Sequence, residues 1–70
     1  MITGDDIDNW FTYHAPKPGQ QARYIQIREA GRELAAVIVA FTSPGPDQSA
    51  AIRKVREAVM TANAAIACGE

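Results

Sequence analysis

Seventy residues with seven basic and eight acidic side chains, a formal net charge of −1 and 47% hydrophobic residues describe one small domain, and at this size folding hides only about 60% of the unfolded surface. A lone core of this kind supplies roughly 3–5 kcal/mol and is normally reinforced by disulfides, a metal or oligomerisation. Cys68 is the only cysteine and His14 the only histidine, which excludes an internal disulfide and a Cys/His metal cage and leaves oligomerisation.

The near-neutral balance argues against DNA or RNA polymers as partners, because these call for a strongly basic domain. The charges are uneven, however. Asp5, Asp6 and Asp8 crowd the N-terminus, whereas between Phe11 and Ile66 seven basic residues face only Glu29, Glu33, Asp47 and Glu57. A mildly cationic middle of this kind suits a small anion. The longest apolar run, Leu34 to Phe41, falls far short of the roughly 20 residues that cross a bilayer, so no membrane partner is expected. The acidic start does not read as a signal peptide, and a single thiol fits a reducing cytoplasm.

In chain order, Thr3-Gly-Asp-Asp6 has the spacing of a capping box and predicts a short helix over about 4–11. Ile7, Trp10 and Phe11 fall on one side of it and are expected to clamp it onto the rest of the molecule. From about 12 to 18 two prolines and a glycine follow closely and forbid helix, giving a rigid extended loop. That loop gathers Tyr13, His14 and Lys17, a set suited to stacking a base and meeting a phosphate. The plainer alternative is a linker whose tyrosine covers the core and whose lysine is solvated.

A long helix is predicted over about 19–41, with Pro18 suited to its first position. Tyr24, Ile27, Gly31, Leu34, Ile38 and Phe41 recur in steps of three and four as its apolar seam. A glycine inside that seam costs on the order of 1 kcal/mol against alanine, which signals a close helix contact or ligand approach at Gly31. Opposite the seam, Arg28 and Arg32 alternate with Glu29 and Glu33 as a solvated face. If the loop folds back along this helix, Arg28 approaches it with a guanidinium fork that matches phosphate.

Thr42-Ser-Pro-Gly-Pro46 ends the helix, and a second one is predicted over about 46–68, antiparallel to the first and capped by Gly69. Ile52, Val55, Val59, Ala62 and Ile66 form its seam, and Met60, Ala64 and Ala67 make a second face nearly as apolar. Such a helix wants burial on most sides, more than one neighbour provides. Arg53 and Arg56 read as solvent-facing or inter-chain ion-pairing residues. Asn63 must find hydrogen-bond partners within an apolar surface, either in another copy or in a ligand. No catalytic constellation is present, so the chain reads as a binder with no cofactor and not as an enzyme.

Phe11-Thr-Tyr-His-Ala-Pro, Arg23-Tyr24, Ile27-Arg28-Glu29 and Arg56-Glu-Ala-Val-Met-Thr-Ala-Asn-Ala-Ala-Ile-Ala67 together resemble the short phage helical-hairpin family of anti-CBASS proteins, whose hairpin is shared with some Thoeris anti-defence proteins. The resemblance implies an all-α homohexamer that acts in the host bacterial cytoplasm. There it captures cyclic oligonucleotide messengers, cyclic dinucleotides above all, without cleaving them, so that CBASS effectors are not activated. It implies pockets between protomers, with Tyr13 against a base, Arg28 on a phosphate, and His14 and Lys17 at the edge. Some members also hold cyclic trinucleotides at a separate site, for which Arg53 and Asn63 are candidates here, as ligand contacts or interface. Where family members often carry an arginine this chain has Cys68. The competing reading is a small oligomeric coiled-coil module, structural or regulatory, with no nucleotide ligand.

Overall fold

The computed structural model describes residues 1–70 and is all-helical, with α1 (Gly4–Trp10), α2 (Gln20–Phe41) and α3 (Pro46–Gly69) and no strand. The capping box forms at α1: the Asp6 N–H donates to Thr3 Oγ1 at 3.2 Å and the Thr3 N–H donates to Asp6 Oδ2 at 2.8 Å, so two otherwise orphaned donors are satisfied by one short motif. The Thr12 hydroxyl donates to the Asp8 carbonyl at 2.5 Å and closes the far end.

Before α2 the chain turns through Gly19, whose φ of 84° is the only one in the left-handed region. Glycine takes this left-handed conformation without the Cβ penalty. Pro18 therefore lies in the turn, and the helix opens on Gln20. Between the long helices, Gly45 is the N-cap and Pro46 takes the first helical position of α3, where its missing N–H costs nothing. Gln48 reaches back to the Thr42 carbonyl and hydroxyl at 3.3 and 3.0 Å. At the other end Gly69 remains helical and the cap is Glu70; the expected glycine cap is not used, because side chains from elsewhere reach the last carbonyls instead.

Contacts run down one long helix as they run up the other, Gln20 meeting Ile66 and Gly31 meeting Val55 and Val59, so α2 and α3 form an antiparallel hairpin. On α3 the covered stripe is Ile52, Val55, Val59, Ala62 and Ile66, the last only 7% exposed. On α2 it is Tyr24, Ile27, Gly31, Ala35 and Ile38. Leu34 and Phe41, expected on that seam, are 51% and 84% exposed. The reason lies at Gly31. A Cβ built there would sit 2.5 Å from Val59 Cγ2, so the helices meet most closely at this point, and the neighbour one full turn on, Ala35, keeps facing α3 while Leu34 turns outward.

The outcome is a slab of 43 × 30 × 15 Å with a radius of gyration of 15.1 Å, against about 11 Å for a compact chain of this length. Only Ile66 and Gln20 are buried. The exposed area is 5674 Å², where a folded monomer of 7.6 kDa has about 4,300 Å². Ile7, Trp10 and Phe11 stay half or more exposed, so they do not clamp α1 to the hairpin as expected. No helix is long and apolar enough to cross a membrane.

Replacing Gly31 by alanine sets two effects against each other. Helix propensity gains about 1 kcal/mol, and overpacking against a β-branched, rotamer-locked valine costs about 1–3 kcal/mol. Gly31→Ala is therefore expected to lower the melting temperature. The double variant Gly31→Ala/Val59→Ala should recover part of that loss, and circular-dichroism melts of the three proteins check both statements.

Candidate functional site at the open end of the hairpin

Each α-helix leaves its last four carbonyls without an intrahelical donor. In α3 two of these are met by side chains distant in sequence: Gln20 Nε2 donates to the Ile66 carbonyl at 3.4 Å and Asn9 Nδ2 to the Cys68 carbonyl at 2.8 Å. Just beyond the helix, Lys17 Nζ donates to the Glu70 carbonyl at 2.6 Å. A cation at this position also meets the negative end of the helix dipole. The proline-rich segment is thus tied to the end of α3.

Two further contacts fix its path. The Lys17 N–H donates to Gln20 Oε1 at 2.9 Å, which makes Gln20, only 4% exposed, a bridge between loop and hairpin. His14 Nε2 lies 2.7 Å from the Asn9 carbonyl, which only accepts, so this nitrogen carries the proton. Arg23 and the Glu70 carboxylate form a two-pronged ion pair on the same end. The hydrogen bond from Arg23 holds the Glu70 carboxyl below its usual range; desolvation opposes it, and the charges of Arg23 and Lys17 add to the lowering. The same hydrogen bond raises Arg23.

Between these anchors stands Tyr13, 83% exposed and without a hydrogen bond to the rest of the chain. Its ring is presented to the outside on a braced segment. Arg28 lies eight residues into α2, about 12 Å of helical rise from Gln20, because the loop docks on the end of α3 and does not run back along α2. Arg28 instead lines a groove of about 260 Å³ between the long helices with Arg32 and Arg56, over a floor that includes Ile52, Val55 and Val59. None of the three arginines forms an ion pair within the chain.

Of the remaining candidates, Arg53 is exposed and lines no cavity. Asn63 is half-buried on α3, and its Oδ1 is fully covered yet has no donor. An acceptor in that state costs about 1–3 kcal/mol, and because its own chain covers it, no outside group reaches it in this arrangement. One chain brings Tyr13, His14 and Lys17 to one end and leaves Arg28, Arg53 and Asn63 apart from them.

Two other cavities flank the hairpin. One of about 530 Å³ runs from Asn9 and Trp10 to Cys68. The other, about 470 Å³, is walled by Ile27, Leu34, Ala58 and Ala62. His14 and Cys68 both approach the Asn9 carbonyl, the thiol sulfur at 3.9 Å. Each is placed as a donor to the same oxygen, and no hydrogen bond joins the imidazole to the thiol. No group of three or more His, Cys, Asp or Glu side chains is placed to hold a metal.

Sequence reading overlooked Asn9, Gln20, Arg23 and Glu70, whose roles depend on where the loop docks. Arg56 was legible in principle: once Gly31 is set against Val55 and Val59, antiparallel register puts Arg56 beside Arg32. The family model described as the Acb2/Tad1 hairpin domain matches residues 3–67. No curated protein and no solved structure matches the chain.

Two expected outcomes follow from the anchoring. Gln20→Ala leaves the Lys17 amide and the Ile66 carbonyl without partners and should cost about 1–3 kcal/mol, read in a chemical-denaturation midpoint, with the Lys17 amide losing hydrogen-exchange protection. Because the folded pKa of Glu70 is lowered, its contribution is complete above the ordinary glutamate range near 4.3 and disappears as pH falls through the lower folded value. Amide shifts of Lys17 and Gln20 followed by NMR from pH 6 to acid should report the loop loosening in that window, and Glu70→Gln should remove the transition.

Proposed function

Because the chain belongs to the Acb2/Tad1 hairpin family, we propose that it is a phage counter-defence protein that binds cyclic oligonucleotide messengers, cyclic dinucleotides first, in pockets between copies of itself and holds them uncleaved, so that CBASS effectors are not activated in the host cytoplasm. Besides the family, the observation that carries this reading is Tyr13: an aromatic ring left outside on a segment tied down at Lys17 and His14. A solvated linker does not need such bracing, and a stacking platform does. Fixing the ring beforehand removes ordering entropy from the binding step.

The separation of Tyr13 from Arg28 supports a shared site. The groove at Arg28, about 260 Å³, is smaller than the roughly 300–1,000 Å³ that encloses a drug-sized ligand, so it receives part of a nucleotide and a neighbouring copy supplies the rest. Removing a messenger effectively asks for roughly nanomolar binding, about −12 kcal/mol. Stacked bases at about 1–3 kcal/mol each and charge-assisted hydrogen bonds at about 1.5–3 each reach that only when groups from two copies add together.

Assembly is supported independently by area. The chain exposes about 1,400 Å² more than a monomer of its mass should, and a standard interface takes about 800 Å² from each partner, so each copy has apolar surface for more than one neighbour. Leu34, Val37, Val39, Phe41 and Met60 supply it. A closed homohexamer satisfies this requirement. Asn63, half-buried on α3, and the exposed Arg53 on the same helix are the candidates for such an interface or for a separate trinucleotide site.

Tyr13→Ala and Arg28→Ala should each weaken cyclic dinucleotide binding about tenfold or more in calorimetry, while light scattering still reports a particle near six times the 7.6 kDa chain mass. Chromatography of the released ligand should return the intact cyclic compound. Unchanged affinity in both variants would remove the site, and no thermal shift of the native protein at saturating cyclic nucleotide would favour the ligand-free coiled-coil module.

A further inference from the structure

Arg28 and Arg32 sit one turn apart on α2, and Arg56 faces them from α3 across the same groove. The acidic residues next to them in sequence, Glu29, Glu33 and Glu57, form no ion pair with them, since the one salt bridge in the chain joins Arg23 to Glu70. Like charges at this spacing on a helix repel by a few tenths of a kcal/mol. The three guanidiniums are exposed, stand around one apolar floor and are held by no acid of the chain, so they are free to meet an anion together.

The chemistry of the groove selects its occupant. Guanidinium forks bind phosphate oxygens in pairs, and the floor of Ile52, Val55, Val59 and Met60 keeps water away from one side, which strengthens those contacts. Two arginines separated by one helical turn, about 5.4 Å, are placed to engage two phosphate groups of one ligand, with the third closing from the opposite wall. A neutral or purely apolar ligand would leave the charges uncompensated.

We propose that Arg32 and Arg56 are phosphate-binding residues that act with Arg28 as a three-guanidinium groove for a ligand carrying two phosphodiesters. This rests on the messenger-binding reading above and extends it to residues that sequence alone left as solvated or inter-chain charges. The groove recognises the compact doubly charged backbone, and Tyr13 of a neighbouring copy recognises a base. Affinity therefore depends on salt more steeply than one arginine would produce.

The test uses the full chain with Arg32→Gln, Arg56→Gln and, as a charge-removing control on the other side of the hairpin, Lys54→Gln, titrated with cyclic di-AMP at several salt concentrations. Each arginine variant should lose about tenfold or more in affinity with a shallower salt slope, keep its particle mass and melt no lower than the native protein without ligand; the control should bind as the native protein does. If both arginine variants bind normally while Tyr13→Ala does not, the messenger reading stands and the three-guanidinium groove is wrong. If they alter the particle mass in the absence of ligand, the arginines pair with acids of another copy and the proposal fails. Should the native protein bind no cyclic di-AMP, inorganic pyrophosphate decides: binding that is lost in Arg32→Gln and Arg56→Gln keeps the groove as a phosphate site, and no binding ends it.

Discussion

The close approach of α2 and α3 at Gly31 governs the rest of the molecule. A glycine facing Val59 lets two helices meet along one tight seam, and a seam is all that two helices can share. Everything on the flanks of that seam, including Leu34, Phe41 and Met60, stays at the surface. Burial on one line stabilises the hairpin but hides too little area for a chain of this size to be secure alone. The tight contact that defines the fold is therefore also what leaves broad apolar surfaces uncovered.

The same economy of contacts operates at the open end of the hairpin. A helix that terminates without a left-handed glycine cap leaves carbonyls in need of donors, and α3 obtains them from Gln20, Asn9 and, just past its last residue, Lys17. These bonds do two things together. They satisfy the helix, and they draw the proline-rich segment across its end, which is why Tyr13 can be rigid and exposed together. His14 and Lys17 serve here as struts, so their places beside Tyr13 follow from structural work that they perform whether or not a ligand is present.

Much of this was legible in the residues. The capping box at Thr3, the breaks at Pro16 to Gly19 and Thr42 to Pro46, and the three-four spacing of both seams specify helices through local chemistry, and local chemistry is what a sequence displays. Leu34 and Phe41 were misassigned because spacing gives the period of a stripe but not which of two adjacent positions turns inward once a glycine allows the helices to close. Trp10 and Phe11 look like core residues by type, and nothing in their type says that one hairpin has no room for them. Gln20 gave no signal at all, since its importance comes from two partners, Lys17 and Ile66, that only the folded path brings together. The arginine groove falls between these cases: each arginine reads as a solvated charge on its own helix, and only the register across the hairpin unites them.

If the site is assembled from two copies, as proposed, ligand affinity is tied to assembly. A ligand that bridges Tyr13 of one protomer and the arginines of another binds the oligomer and not the separated chains, so it stabilises the oligomer in proportion to the logarithm of its concentration over its dissociation constant. The reverse also holds by linkage: whatever strengthens the apolar joins raises the fraction of chains competent to bind. On the proposed reading of capture without conversion, capacity is stoichiometric, and a 7.6 kDa chain whose surfaces served two purposes, burying a neighbour and lining a shared pocket, would reach the required affinity with side chains that no single hairpin could bring together.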